Sequence, residues 1–265
     1  MSSRSLDFTK HTQAHARRCA ARRWRATVRP MTSSTSRRGS RAPSTSFGPL
    51  STVRYVVNGV SFDMVRVPPG RFIDGEGPDR RELLVSRPFE LGVTPVTQAL
   101  CRAVMPYHYS DSQGEDRPAD RVSWQDAQEL VSNLGWRGLP GFRLPTEAEW
   151  VWAARCGAPT RWAGADRAEM SAVIDSKKTD FVAGLSCSAA GFFDLSGNVQ
   201  EWASDTNHLL SGIDIGNQGS AFGLFRILRG GNWLFGPQAA RVAARVSGAP
   251  SFRYNTNGFR LARTA

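Results

Sequence analysis

Asn198 and Glu201 stand three residues apart in the run Gly191-Phe-Phe-Asp-Leu-Ser-Gly-Asn-Val-Gln-Glu-Trp202. Both side chains offer oxygen, and a glycine-containing turn leaves the backbone of Gly197 and Val199 able to add carbonyls. That donor set suits a hard cation such as calcium, which takes about six to eight oxygens. The same spacing suits a turn braced by its own side chains with Trp202 in the core, because two side-chain ligands alone make a weak site. Four guanidiniums form a second group: Arg229, Arg241, Arg245 and Arg260 lie in a stretch with no acid after Asp214. Carboxylates from earlier in the chain must meet them, with Glu147, Glu149, Asp194 and Glu201 as candidates, or else they hold an anion. Arg143 and Glu149 make a third group, an ion pair at a helix start where the helix dipole favours acids. It reads as a scaffold corner and not as a catalytic acid.

Charge narrows the function classes. The chain of 265 residues carries a formal net charge of +11. Residues 1–50 hold eleven basic residues and one acid, so nearly all of that excess sits there, and residues 51–265 are close to neutral. A nucleic-acid-binding domain places its basic patch on the folded body, so nucleic acid is expected only as a nonspecific contact of residues 1–50. That arm is rich in Ser, Arg and Thr and poor in large aliphatics, too poor in apolar surface to offset the entropy of ordering. It is expected to be disordered: an inert tail, a stretch preceding a true start at Met31 or Met64, or an Arg-rich and Ser-rich transit segment. No stretch approaches the roughly 20 apolar residues of a membrane-spanning helix. Cys19, Cys101, Cys156 and Cys187 show no CxxC spacing and read as ordinary reduced thiols of a cytoplasmic protein.

Residues 51–265 are long enough for one sizeable core, and 25 glycines with eight tryptophans favour a loop-rich domain over a helical bundle. Val53–Val57 and Phe62–Val67 flank Asn58-Gly59, a strong hairpin signal because both turn positions want positive φ. Leu83–Val93 reads as a strand broken at Pro88. Three short helices follow. Thr94 or Thr97 caps the first, Ser123 caps the second with Ala127, Leu130, Val131 and Leu134 on one face, and Thr146 with Glu149 forms a capping box for the third, which Gly157 ends. Beyond Gly157 only short strands are expected, at Phe225–Leu228, Arg241–Arg245 and Phe259–Ala262.

Seven segments in order resemble one family. They are Val65–Phe72 (VRVPPGRF), Thr94–Met105 (TPVTQALCRAVM), Arg121–Ala127 (RVSWQDA), Phe142–Arg155 (FRLPTEAEWVWAAR), Gly191–Trp202 (GFFDLSGNVQEW), Leu228–Trp233 (LRGGNW) and Gly258–Leu261 (GFRL). Together, over about residues 60–263, they are similar to the formylglycine-generating enzyme, or sulfatase-modifying factor, family. The resemblance implies a single α+β domain with a C-type-lectin-like fold and much irregular structure, often carrying calcium, here at the Asn198–Glu201 turn. It also implies an oxidase that binds Cu(I) through a pair of cysteines just after the RGG-x-W segment. The matching stretch here, Leu234–Ala244, reads LFGPQAARVAA, and no cysteine follows Cys187. Iron-dependent relatives use a His-rich site and an extra domain, and this chain has four histidines in all. No copper or iron site is therefore recognised.

What remains is binding. Trp233, Ala240, Arg241, Ala243, Arg245, Pro250, Arg253 and Asn257 look like frame residues. Between them lie Leu234, Phe235, Val242, Ala244, Val246, Ser247, Phe252, Tyr254, Asn255 and Thr256, the expected contacts to a protein or other macromolecular ligand. Large apolar residues on exposed loops mark interaction sites, and Tyr and Phe provide contact area at low entropic cost. This segment resembles the variable proteins of diversity-generating retroelements, which end in a similar RGG-x-W…GFRLA run. Their adenine-directed mutagenesis cannot reach Lys, Glu, Met or Trp, and residues 234–265 contain none of these. A divergent oxidase acting on a cysteine substrate is the alternative.

Overall fold

The Asn58-Gly59 turn takes φ of 47° and 80° and joins β1 (Thr52–Val57) to β2 (Val60–Val67) in an antiparallel hairpin, as the dipeptide predicts. The computed structural model describes residues 50–75, 80–155, 160–165, 167–185, 187–207, 214–215 and 225–265. Residues 1–49 of the expected 1–50 arm, and the helix stop at Gly157, lie outside them. After the hairpin come β3 (Gly70–Asp74), β4 (Arg81–Val85), β5 (Phe89–Gly92), α1 (Gln98–Val104), α2 (Trp124–Trp136), β6 (Phe142–Arg143) and α3 (Glu147–Arg155). The rest is short: β7 (Ala172–Val173), β8 (Ser196–Gly197), β9 (Gln200–Thr206), β10 (Asp214–Ile215), β11 (Arg226–Arg229), β12 (Arg245–Gly248), β13 (Asn257–Gly258) and β14 (Ala262–Thr264).

The helix starts follow their caps. Thr97 Oγ1 accepts the Leu100 N–H, and Ser123 with Asp126, like Thr146 with Glu149, makes a reciprocal capping box. α2 buries one face, Ala127, Leu130 and Leu134, whereas α3 is buried from Glu147 to Ala154 and is therefore enclosed. Late strand boundaries differ from the sequence expectation. Arg241–Arg245 is not a strand; the strand begins at Arg245, and Phe259–Leu261 is an irregular link between β13 and β14. The reason is that their backbone partners come from distant segments, so no local alternation marks them.

A five-stranded sheet runs in the order β1-β2-β5-β14-β6, with the C-terminal strand β14 inside it between β5 and β6. Successive residues serve opposite faces. Met64 and Leu261 join one core with Leu100, Leu130, Trp202 and Phe259, while Val65 and Ala262 join the other with Phe89, Trp150, Trp152 and Phe192. A four-stranded sheet, β12-β11-β9-β13, carries residues 230–256 between its strands, and β9 and β11 at its centre bear Glu201 and Arg229.

Buried ion pairs lock these sheets together. Arg260 is fully buried and bidentate to Glu201, with Nε to Oε2 at 2.6 Å and Nη2 to Oε1 at 2.7 Å; its other N–H groups reach the carbonyls of Gly92, Val93 and Phe193. Trp150 Nε1 donates to the same carboxylate. Arg229 bridges Glu147 and Asp74, and Arg81 and Arg245 meet the same Glu147. Burial alone would raise the Glu147 pKa, but the three guanidiniums outweigh it and hold it down at about 2. Of the candidate partners, Glu147 and Glu201 serve the late arginines, Glu149 pairs with Arg143, and Asp194 makes no ion pair among the described residues.

Arg260→Met keeps much of the volume but leaves Glu201 buried without its cation. Losing one partner of such a pair costs about 3–5 kcal/mol, so urea unfolding should show a large loss of stability. A change below about 1 kcal/mol, within the range of exposed pairs, would show that Glu201 finds solvent instead.

Candidate functional site

The site is built where β11 ends. Gly230 and Gly231 take φ of 93° and 65°, and a Cβ on Gly231 would lie 2.4 Å from the Ala239 carbonyl oxygen, so this turn needs glycine. Buried Asn232 follows. Its Oδ1 accepts the N–H groups of Leu234 (3.1 Å) and Phe235 (3.3 Å), which turns both side chains outward. Its Nδ2 donates to Gln200 Oε1, and Gln200 Nε2 donates to Asn257 Oδ1 at 2.6 Å. The Trp233 indole N–H donates to the Asn255 carbonyl at 3.0 Å. Loops 232–236 and 254–257 are thereby one hydrogen-bonded unit.

Arg253 holds the second loop from its other end. Its guanidinium forms two 2.7 Å hydrogen bonds to Asp126, the carboxylate that caps α2. With Arg253 drawn inward, Phe252 and Tyr254 on either side stand outward, and their rings meet edge to face at 5.6 Å. Asn232, Gln200 and Asp126 are missing from the sequence-derived site. Asp126 had a local signal in its spacing from Ser123; the Asn232–Gln200–Asn257 chain had none, because it joins residues tens of positions apart.

The ten expected contact residues divide. Leu234 (50% exposed), Phe235 (53%), Val246 (52%), Phe252 (45%) and Tyr254 (56%) stand in solvent, so packing onto the domain does not account for them. Ala244, Ser247 and Asn255 are half-buried. Val242 and Thr256 are corrections. Val242 is fully buried in the core beside α3, and its backbone joins Arg161 and Arg229. Thr256 is buried, and its carbonyl accepts the Gln200 N–H. Both belong to the frame. Val246 lies apart from the other four in sequence, on β12, an outer strand of its sheet, opposite Leu228.

The calcium expectation at Asn198 and Glu201 does not fit the donors. Both Glu201 oxygens are engaged by Arg260 and Trp150. Asn198 Oδ1 accepts the Asp180 N–H, its Nδ2 donates to the Asp180 carbonyl, and its own carbonyl accepts the Trp233 N–H. A cation beside Glu201 would compete with a buried guanidinium. The turn, with Gly197 and Asn198 at positive φ, is the braced alternative, and it seats Trp233. Among the described residues no group of three or more His, Cys, Asp or Glu gathers as a metal site. Among the described residues a pair of thiolates for copper is also wanting. Cys101 is buried beneath the display face, and burial with Asp126 nearby pushes its thiol up to about 12. Cys187 is disulfide-bonded, which corrects the expectation of reduced thiols throughout.

Two buried carboxylates lie close to this frame. Asp120 accepts the Asp111 N–H with one oxygen, while the other has no partner, and burial pushes its pKa up to about 6. Asp194 accepts the Ala183 N–H, and burial raises it likewise to about 6.

Comparison with known proteins now bears on this geometry. The family described as "Sulfatase-modifying factor enzyme 1-like domain" matches residues 57–265. The formylglycine-generating enzyme of Streptomyces coelicolor is 32% identical over 181 residues, covering 59% of this chain and 56% of that protein. The serine/threonine-protein kinase pkn1 of Chlamydia caviae is 32% identical over 151 residues, covering 52% of this chain and 24% of that protein. The chain thus spans from about a quarter to about half the length of these relatives. Among solved structures, Treponema denticola variable protein 1 superposes with a TM-score of 0.75 at 27% identity, covering 81% of this chain and 99% of that one. The α+β, C-type-lectin-like fold and the resemblance to variable proteins both hold.

Two outcomes follow from the site. Saturating calcium, or its removal by a chelator, should leave the melting temperature unchanged; a calcium-dependent rise would mean that Glu201 exchanges Arg260 for the ion. For Asp120 the folded pKa lies above the unfolded 3.8, so the native state takes up its proton first and gains stability as pH falls through about 6. Asp120→Asn should therefore raise the melting temperature relative to the parent above pH 6, with the difference shrinking toward pH 4. A pH-independent difference would remove the buried charge as its cause.

Proposed function

The chain belongs to the sulfatase-modifying factor enzyme 1-like domain family, and we propose that it uses this scaffold to display a binding surface for a protein or other macromolecular ligand, not to oxidise a cysteine. One observation carries the reading. Of the twelve exposed large hydrophobic residues among those described, five fall between Leu234 and Tyr254. Four of them, Leu234, Phe235, Phe252 and Tyr254, stand on loops clamped by Asn232, Trp233 and Arg253. Apolar side chains held outward by a rigid polar frame are costly to the free protein and useful only against a partner.

Further support comes from what the scaffold tolerates. The frame residues bond through their own side chains to main chain, to buried acids or to one another, so the four outward side chains can change without disturbing it. That division suits diversification of residues 234–256 by a retroelement, as in the variable proteins this segment resembles. The likeness to variable protein 1 of Treponema denticola supports it further. The chain is similar both to a serine/threonine-protein kinase and to a formylglycine-generating enzyme, which fits a scaffold reused for different tasks. Against the oxidase stand Leu234–Ala244 without a thiol and Cys101 with its thiol buried.

The test is to sequence the locus and its flanking DNA across clonal isolates. The expectation is a neighbouring reverse transcriptase with a near-copy of the codons for residues 228–263, and variation at Leu234, Phe235, Phe252 and Tyr254 while Arg229, Trp233 and Arg260 stay constant. Invariant codons with no template would sink diversification. Copper-dependent oxygen uptake on a cysteine-containing peptide would replace the binding reading by the oxidase. At the protein level, Phe235→Ala with Tyr254→Ala should leave the melting temperature nearly unchanged, because both side chains are exposed. A large drop would make them core.

A further inference from the structure

Leu234 and Phe235 rest on a second support besides Asn232. The carbonyls of Trp233 and Phe235 accept the N–H groups of Ser176 (2.7 Å) and Asp175 (3.3 Å), and the Asp175 carboxylate lies against Gly236. Asp175 and Ser176 belong to the link between β7 and β8, residues 174–195, which holds no strand or helix among its described residues. Its further ties are scattered hydrogen bonds. The Asp180 N–H donates to Asn198 Oδ1 at 3.0 Å, the Val182 N–H to the Asp116 carbonyl at 2.8 Å, and Arg117 to the Thr179 carbonyl. Asp175 and Ala183 take φ of 46° and 59°, which is unfavourable for a residue with a Cβ. A link with so little regular structure belongs to the part of a domain that opens locally.

Cys187 lies in this link and is disulfide-bonded. Cys101 is free, which leaves Cys19 and Cys156 as candidate partners within the chain, both outside the described residues. Their places in the sequence separate them. Cys156 directly follows Arg155, the last residue of α3. Ala153 and Ala154 at that end belong to one buried core with Ala190 and Phe192, which closely follow Cys187. Beyond Cys156 the chain comes back to the same place. A Cβ on Gly164 would lie 2.5 Å from the Cα of Ser188, and the Ala163 N–H donates to Ser196 Oγ at 3.0 Å. The segments on both sides of Cys156 thus pack near Cys187, whereas Cys19 belongs to the arm.

We propose that Cys187 is bonded to Cys156 and that this bond is a redox clamp on the display surface. Oxidised, it fixes the link to the end of α3 and restricts its open states, as a cross-link does. The support under Leu234 and Phe235 is then firm. Reduced, the link loosens, and the loop it carries loosens with it. Closing the bond removes two electrons and two protons from the two thiols by exchange with a small-molecule or protein disulfide, which leaves as two thiols; a dithiol reverses the exchange. Cys101 is buried and takes no part in either direction. Firm display therefore belongs to an oxidising compartment. The consequence for binding rests on the reading above; the bond and its mechanical effect do not.

The test uses the full chain equilibrated with oxidised glutathione, alkylated with iodoacetamide after denaturation and mapped by peptide mass. The expected result is a linked Cys156–Cys187 peptide, with Cys19 and Cys101 alkylated. Alkylation of every cysteine, glutathione on Cys187, or a Cys19–Cys187 link overturns the proposal. Amide hydrogen exchange is then followed before and after dithiothreitol. The Asp175, Ser176 and Val182 amides should exchange at least about tenfold faster after reduction, as expected when a local opening becomes easier. In Cys187→Ala they should be fast with or without dithiothreitol. The Gly92 and Val96 amides, bonded to the carbonyls of Leu261 and Phe259, should not change. Unchanged exchange at Asp175 and Ser176 would mean that the bond supports nothing there, and faster exchange at Gly92 and Val96 as well would mean that it acts on the whole domain; either overturns the clamp. No ligand enters these measurements, so a missing partner or invariant codons at residues 234–256 would defeat the binding reading and leave this result standing.

Discussion

The contact between Arg260 and Glu201 is the constraint on which the rest of the structure depends. Both groups are buried, and removing two charges from water costs several kcal/mol per ion unless the geometry is complete. Here it is complete. Every guanidinium N–H has an acceptor, drawn from Glu201 and from the carbonyls of Gly92, Val93 and Phe193, and the carboxylate takes a further N–H from Trp150. One ion pair thereby ties the link before the C-terminal strand to β5, β9, α3 and the loop before β8. A structure with so many two- to four-residue strands needs such ties, because short ladders contribute few hydrogen bonds each. Arg229 repeats the device between β11, Glu147 and Asp74, and adds the carbonyls of Val242 and Ala244 to hold the display segment from below.

Rigidity underneath and freedom on top follow from the same arrangement. Asn232, Trp233, Arg253 and Asn257 spend their polar groups on the frame, and the side chains between them stand outside it. Under the proposed binding role, a surface so made would pay little further conformational entropy on meeting a partner, and its specificity would reside in the identity of a few exposed side chains. The basic excess in the C-terminal stretch, which invites an anion-binding reading from composition, is consumed here. Arg229, Arg245 and Arg260 each meet a buried acid, and Arg253, itself partly exposed, meets the buried Asp126 of the α2 cap.

Much of the fold was legible because its signals are local or carried by dense segments. Asn58-Gly59 names a hairpin, Ser123 and Thr146 name helix starts, and the spacing of Arg143 and Glu149 names their pair, since each depends on residues within a few positions. The failures share one cause. Val242 and Thr256 look like surface residues between frame positions, yet each is buried by elements over 50 residues away. Asn198 and Glu201 look like oxygen ligands, yet a guanidinium 59 residues downstream of Glu201 already fills the place a cation would need.

The amino-acid sequence by itself determined the family, the α+β class, the order of the early elements, the acid-free display segment and the absence of the oxidase thiols. Those are properties of composition, short spacings and ordered segments, which survive without knowledge of what lies near what. Tertiary structure alone decided which side chains of that segment face solvent, which acid takes which arginine, and that the ring of the distant Tyr109 meets the Arg253 guanidinium. The physical reason is that burial and charge pairing are set by long-range approach of the chain, and in a domain poor in regular elements no period in the sequence records it.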